Sequence, residues 1–282
     1  MILLITETCN LNCLFCSAKG RNAKINRKTI LQQINQCQDG LTISGGEPTL
    51  SPDLFWIIEE AKKKNLFVEL QTNGITLFYK SLALKLVKSG IDLFNINFSS
   101  HLPSINDKIT QTKGLFKNKV GGIKNLQAVG ANIRLTCVVN ALNYKDLEDY
   151  VVFAKKNFPR IKFLQFSFIK IMGNTRKNPQ ILITYEKVQP YLLKAFKKCQ
   201  ELNIDFITDH IPLCYLDNFI EYHIDYQKII RGEKPEYSLK EKVKLKQCAD
   251  CRLNSFCCGV RKDYLDFFGK KTKVKPLKIY EK

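Results

Sequence analysis

Six short runs of β-favouring residues, at 2–5, 41–44, 67–70, 93–98, 133–139 and 163–168, alternate with stretches of helical spacing, and this rhythm constrains the fold more than any other feature of the chain. In 27–37 the apolar residues Ile30, Leu31 and Ile34 fall on one helical face. The stretch 51–65 opens with Ser51 as N-cap and Pro52 at the first helical position. Helices are also predicted over 79–89, 120–129 and 144–157, with Gly40, Gly90 and Gly130 as stop signals. Strands joined by helices pair parallel. The spacing alone permits either a partial barrel or an open doubly wound sheet.

Parallel architectures carry their chemistry at the C-terminal ends of the strands. The chain obeys this: Cys9 follows the first run, Gly45-Gly46-Glu47 the second, Thr72-Asn73 the third, Ser99 the fourth and Asn140 the fifth. The first motif is Cys9-x3-Cys13-x2-Cys16. A cubane iron-sulfur cluster takes four thiolates, so three leave one iron open to a ligand. A zinc loop would want a fourth Cys or His close by, and none lies within the loop.

A chain of 282 residues, 45% hydrophobic, can bury a sizeable core and suits an α/β barrel with a small appendage. No apolar run reaches the roughly 20 residues of a membrane span, so no membrane partner is expected. The N-terminus has no basic region ahead of its apolar run, so no cleaved signal peptide is expected either. Eleven cysteines at ligand-like spacings point to a reducing, cytoplasmic setting rather than to disulfides. The net charge of +19 is mostly lysine. Residues 240–282 hold thirteen Lys or Arg against five Asp or Glu, which suits a solvated face or a phosphate-rich partner such as RNA.

Beyond a predicted helix at 185–202 and a short strand at 205–208, Cys248-x2-Cys251-x5-Cys257 together with Cys214 offers four more thiolates. That is a full set for a second cluster, or for a four-cysteine zinc site. Cys258 could replace Cys257 as ligand, or Cys214 could stand outside the set and leave an iron for substrate. Cys37, Cys137 and Cys199 lie in apolar or helical contexts and read as core. In 93–98 and just beyond, Asn95, Asn97 and Ser99 share one strand face and need polar partners. His101 reads as a loop histidine or a substrate-side acid or base.

The Cys9-x3-Cys13-x2-Cys16 spacing, with Phe15 before the last cysteine and Gly45-Gly46-Glu47-Pro48 about thirty residues on, resembles the radical S-adenosylmethionine (radical SAM) enzymes. The resemblance implies an α/β fold, a partial (β/α)6 barrel of parallel strands, with a 4Fe-4S cluster whose open iron holds S-adenosylmethionine. It implies reductive cleavage to a 5'-deoxyadenosyl radical that abstracts a hydrogen atom from substrate. On the same resemblance Gly45, Gly46 and Glu47 hold the amino group of the cofactor, and Asn97 or Ser99 contacts its ribose or carboxylate. Thr72, Asn73 and Asn140 orient it, and Phe15 packs near the adenine.

The C-terminal cysteines resemble the twitch and SPASM auxiliary-cluster modules of that family, in the shorter form, because Arg261 stands where a further cysteine would follow Cys257. This implies a barrel at 1–190, a cysteine-rich module at 191–282 and a second 4Fe-4S cluster with zinc as the alternative. The substrate expected is a peptide or protein modified oxidatively, with an electron donor such as flavodoxin or ferredoxin. RNA or a nucleotide-derived molecule is the alternative substrate. A non-catalytic metal-cluster protein that binds RNA is the alternative from another class.

Overall fold

The computed structural model of the chain describes residues 1–19, 26–161, 163–269 and 272–277. Seven parallel strands form one sheet: β1 (Ile2–Leu4), β2 (Gly40–Ser44), β3 (Phe67–Thr72), β4 (Leu93–Asn97), β5 (Ile133–Val139), β6 (Phe163–Phe168) and β7 (Phe206–Asp209). The six predicted runs are all present. The seventh strand comes from beyond them and pairs with β6 through Leu164↔Phe206 to Ser167↔Asp209. The strand order is the chain order, from β1 to β7. Right-handed crossovers that always step the same way put their helices on one face. A doubly wound sheet needs a reversal of strand order, and this one has none. Among the described residues β1 and β7 do not pair, so the barrel is open.

The connecting helices are α1 (Arg27–Gln36), α2 (Leu54–Lys63), α3 (Lys80–Lys88), α4 (Pro103–Thr110), α5 (Phe116–Ala128), α6 (Leu147–Asn157) and α7 (Tyr185–Glu201). The sheet face toward them is apolar and closed: Leu41 and Ile43, Val68 and Leu70, Leu135 and Cys137, Leu164 and Phe166 are buried. The opposite face is polar and cross-linked between strands. Ser44 Oγ donates to Gln71 Oε1 at 2.9 Å, Asn95 Nδ2 to Glu69 Oε1 at 2.9 Å and Thr136 Oγ1 to Asn95 Oδ1 at 2.6 Å. Gln165 Nε2 donates to Asp209 Oδ2 at 3.0 Å, and Arg134 pairs with Glu69. Parallel strands normally bury both faces in apolar packing. Here one face is a polar wall that opens toward the strand ends.

Two local departures from the sequence matter. Helix α2 begins at Leu54, not at Pro52, because Pro48–Leu50 first forms a 3-10 turn and Ser51 Oγ accepts from Asp53 N at 3.3 Å. Helix α4 was not anticipated, and its last turn carries the cysteine loop: Thr110 O accepts from Asn12 N at 3.1 Å and Ile109 O from Leu14 N at 2.9 Å.

The division at residue 190 falls inside α7, and β7, from beyond it, extends the sheet. The remaining chain forms α8 (Ile224–Ile230), α9 (Glu236–Glu241), a two-stranded antiparallel ribbon of β8 (Lys242–Val243) and β9 (Val260–Arg261), and α10 (Lys262–Phe268). It is tied to the stretch after β6: Lys170 reaches Glu241 at 3.4 Å and Asp263 Oδ2 accepts from Ile171 N at 2.7 Å, and both carboxylates are held by the buried Arg261, which pairs with Glu241 and at 2.9 Å with Asp263.

Candidate active site and second thiol cluster

Cys9, Cys13 and Cys16 lie on one tight loop beyond β1. Cys16 N donates to Cys13 O at 3.1 Å, and Leu11 N to Cys9 Sγ at 3.5 Å. Each ionised thiol would work against the others: burial first, then Lys119 in the favourable sense and Cys16 and Cys9 in the unfavourable one, leave the Cys13 thiol pushed up to about 12. Burial also raises Cys9, with Glu47 and Cys16 adding to it. Thiols so placed stay protonated until a metal displaces the proton. Their mutual proximity and partial exposure fit a group held from one side by three sulfurs. Among the described residues no three or more Cys, His, Asp or Glu converge to hold a single metal ion.

The Gly-Gly-Glu segment is zipped to the stretch leading into Cys9. Gly46 N donates to Thr6 O and Glu47 N to Thr8 O, each at 2.7 Å. A Cβ at Gly46 would lie 2.3 Å from Thr8 O, and one at Gly45, where φ is +146°, would lie 2.5 Å from Thr6 O. Both positions therefore require glycine. Among the described residues nothing donates to the Gly45 or Gly46 carbonyls, so they remain acceptors for an ammonium group.

The Glu47 side chain, 0% exposed, is spent inside the protein. Its Oε1 accepts from Thr49 N, Thr49 Oγ1 and Thr72 Oγ1 at 3.1, 2.6 and 2.6 Å, and its Oε2 from Asn73 N at 2.7 Å. Thr72 is thereby a strut for Glu47. Asn73 braces the cysteine loop, with Nδ2 2.7 Å from Asn10 Oδ1 and 4.0 Å from Cys9 Sγ.

Asn140 is buried, and its side chain closes its own turn, with Nδ2 donating to Val138 O and Oδ1 accepting from Leu142 N. Ser99 Oγ accepts from Val138 N at 3.2 Å. Asn97 is half-buried on the polar face, and among the described residues its Oδ1 meets only a long 3.4 Å contact from Ser99. Phe15 packs half-buried against the core. His101 stacks loosely on Phe153 with ring centroids 5.7 Å apart, and burial lowers its pKa.

Several residues at this site carry no sequence signal. Asn174, in the turn after β6, donates Nδ2 to Cys13 O at 3.0 Å and its backbone N to Cys16 O at 2.9 Å. Lys119 on α5 is buried beneath the cysteine loop, where burial lowers its pKa and Cys13, Glu47 and Asp107 pull it back.

Cys214, Cys248, Cys251 and Cys257 line one small apolar cavity with Leu213 and Val260. Burial first, and then Cys257, Cys248 and Cys251, push the Cys214 thiol up to about 11. Gly259 N donates to Cys257 Sγ at 3.3 Å. The donor set is what a closed four-thiolate site demands. Cys258 is buried outside this cavity and faces Asp225. Cys37, Cys137 and Cys199 are buried core residues.

Residues 3–154 match the family described as the Radical SAM superfamily. A probable GTP 3',8-cyclase of Methanocaldococcus jannaschii is 30% identical over 176 residues, 59% of this chain and 58% of that protein. An Fe-coproporphyrin III synthase of Methanosarcina barkeri is 27% identical over 168 residues, 56% of this chain and 42% of that protein. A probable GTP 3',8-cyclase of Saccharolobus solfataricus is 28% identical over 279 residues, 95% of this chain and 80% of that protein. The first two matches thus span about half the length of those relatives. Among solved structures, native anSMEcpe with bound AdoMet and Kp18Cys peptide shares the fold at a TM-score of 0.68 and 19% identity, covering 98% of this chain and 92% of that one. SuiB of Streptococcus suis bound to precursor peptide SuiA does so at 0.68 and 15%, covering 98% and 74%.

Proposed function

The chain belongs to the Radical SAM superfamily, and from that premise we propose an enzyme that abstracts a hydrogen atom from a peptide or protein side chain and oxidises it overall. The family's 4Fe-4S cluster and S-adenosylmethionine, when bound, supply one-electron cleavage of a sulfonium and a carbon radical. The chain supplies the rest. Cys9, Cys13 and Cys16 would hold three irons and leave the fourth to the cofactor, whose ammonium the open Gly45 and Gly46 carbonyls would accept. Asn97, whose amide nitrogen has no partner among the described residues, would face the cofactor from the polar wall, while Thr72, Asn73, Asn140 and Ser99 position the backbone around it.

The observation behind the oxidative reading is that Cys214, Cys248, Cys251 and Cys257 all line one small cavity. A fully ligated second 4Fe-4S cluster has no iron to offer a substrate, so it would pass electrons. Abstraction of a hydrogen atom leaves a substrate radical that must lose one more electron, and a proton to solvent, to give a product two hydrogens poorer, and this site would take the electron. Zinc at the same thiolates would leave that electron without an acceptor. The radical core then includes α7 and β7, and the chain beyond Asp209, with Cys214, forms the auxiliary module. A low-potential donor of the flavodoxin or ferredoxin type would reduce the first cluster. Among the described residues no helix is long and apolar enough to cross a membrane, and oxygen-sensitive clusters suit a reducing cytoplasm.

The second reading is a nucleotide-derived substrate, favoured by the GTP 3',8-cyclase relatives. An RNA partner gains less support from the basic C-terminal segment. Lys242 and Arg261 are buried and ion-paired, and Lys270, Lys271, Lys278 and Lys282 lie outside the described residues.

The test uses anaerobically reconstituted, reduced enzyme with S-adenosylmethionine, comparing 5'-deoxyadenosine formation with pooled peptides and with GTP. Peptide-dependent stimulation with a two-hydrogen mass loss supports the proposal; stimulation by GTP alone replaces it with the second reading. Cys13→Ala should form no 5'-deoxyadenosine. Cys251→Ala should still cleave the cofactor but yield no product, and normal product from it would overturn the electron-transfer role.

A further inference from the structure

Lys119 is 1% exposed, yet its ammonium has no carboxylate within ion-pair distance among the described residues. Its hydrogen bond is a long one, 3.4 Å to Asn106 Oδ1. A buried ammonium without a counter-charge is costly, so a lysine kept in such a place implies a negative group that completes it. The nearest carboxylates cannot serve. Glu47 is committed to four internal hydrogen bonds, and Asp107 Oδ2 accepts from Gly114 N at 3.0 Å.

What Lys119 does face is the cysteine loop. Its stem lies against Gly74, where a Cβ would be 4.0 Å from Lys119 Cγ, and Gly74 follows Asn73, the brace of Cys9. Its head is held by α4, the helix whose last turn carries Asn12 and Leu14 on either side of Cys13. Among charged groups Cys13 is the strongest influence on Lys119, and Lys119 is the strongest on Cys13.

We propose that Lys119 is the built-in counter-charge of the cluster held by Cys9, Cys13 and Cys16, and that it raises that cluster's one-electron reduction potential. The inference rests on those three cysteines being cluster ligands. On reduction one electron enters from a low-potential one-electron donor, no bond forms or breaks, and the cluster becomes more negative by one charge. A fixed ammonium in a water-poor pocket stabilises that added charge more than it stabilises the oxidised state. Lys119 is thus a positioning residue that acts through the cluster, and it touches no substrate.

The test is a redox titration of reconstituted holoprotein followed by electron paramagnetic resonance, reading the signal that changes shape on adding S-adenosylmethionine. Lys119→Met keeps the length of the side chain without its charge, and Lys119→Arg keeps the charge. At a fixed potential the reduced-to-oxidised ratio should fall about tenfold in Lys119→Met, 59 mV for a one-electron couple, and stay within about threefold of wild type in Lys119→Arg. Wild-type titration of Lys119→Met would overturn the proposal. If Lys119→Met fails to retain iron while Lys119→Arg retains it unshifted, the charge is needed for assembly and the proposal stands; loss of iron from both marks a packing role and overturns it. A wild-type protein with no signal sensitive to S-adenosylmethionine would instead sink the assignment of the three ligands, a distinct result.

Discussion

Asn174 donates its side-chain amide to the carbonyl of Cys13 at 3.0 Å across 161 residues of sequence. The cysteine loop is therefore clamped twice, by the end of α4 on one side and by the turn after β6 on the other. The second clamp is tight: a Cβ on Gly173 would lie 2.4 Å from Cys16 O.

Asn174→Ala should loosen the loop without unfolding the sheet. Losing one hydrogen bond to a loop carbonyl costs about 1 kcal/mol, enough to speed iron loss to a chelator several-fold. An unchanged rate of loss from reconstituted protein would show that the clamp does not hold the cluster.

Gly46→Ala should be far more severe, since its Cβ would meet the Thr8 and Glu7 carbonyls at 2.3 and 2.7 Å. These are backbone atoms and cannot turn aside, so overpacking should cost about 1–3 kcal/mol or more and pull the loop from β2. Urea unfolding of the metal-free protein and the iron content after reconstitution measure the two effects; wild-type values for both would refute the zipper.

For Glu47→Gln the size of the side chain is kept, but an amide N–H₂ must now meet either the Asn73 N–H or the donors from Thr49 and Thr72. A buried donor facing a donor costs about 1–3 kcal/mol. The expected result is a lower urea midpoint with an unchanged denaturant slope. An equal midpoint would mean that the carboxylate is not needed as an all-acceptor hub.

Acid should weaken the junction between β7 and the module. Burial, followed by the charge of Lys242, pushes His223 down to about 3, and His210 is driven well below its ordinary value by burial and by Lys170. The unfolded chain then binds more protons between about pH 6.5 and 3, so this stability is complete above 6.5 and is lost as pH falls. Between pH 7.5 and 5.5 the metal-free wild type should lose about 1.4 kcal/mol more than His223→Asn. Asparagine can still cap Asp225 N as His223 Nδ1 does. Parallel pH curves for the two proteins would contradict the buried neutral histidine.

The sequence alone determined the six-fold alternation, the parallel pairing and the placing of chemistry at the strand ends. These follow from local periodicity and turn residues, which act over a few positions. It also marked both cysteine sets, because ligand spacing within a loop is local.

Only the tertiary structure decided the rest. The one-sided sheet came from strand order, which periodicity does not encode. The meeting of Cys214 with Cys248, Cys251 and Cys257 at one cavity, and the holding of Glu241 and Asp263 by Arg261, depend on how the C-terminal chain folds back. Glu47, Thr72 and Asn73 meet beside the cysteine loop while Asn140 closes its own turn, and in each case hydrogen-bond geometry shows the side chain holding the frame. Lys119, Asn106 and Asn174 look like ordinary helix and loop residues in the sequence. What singles them out is distance across the fold and exclusion from water, and neither is written in the spacing of neighbouring residues.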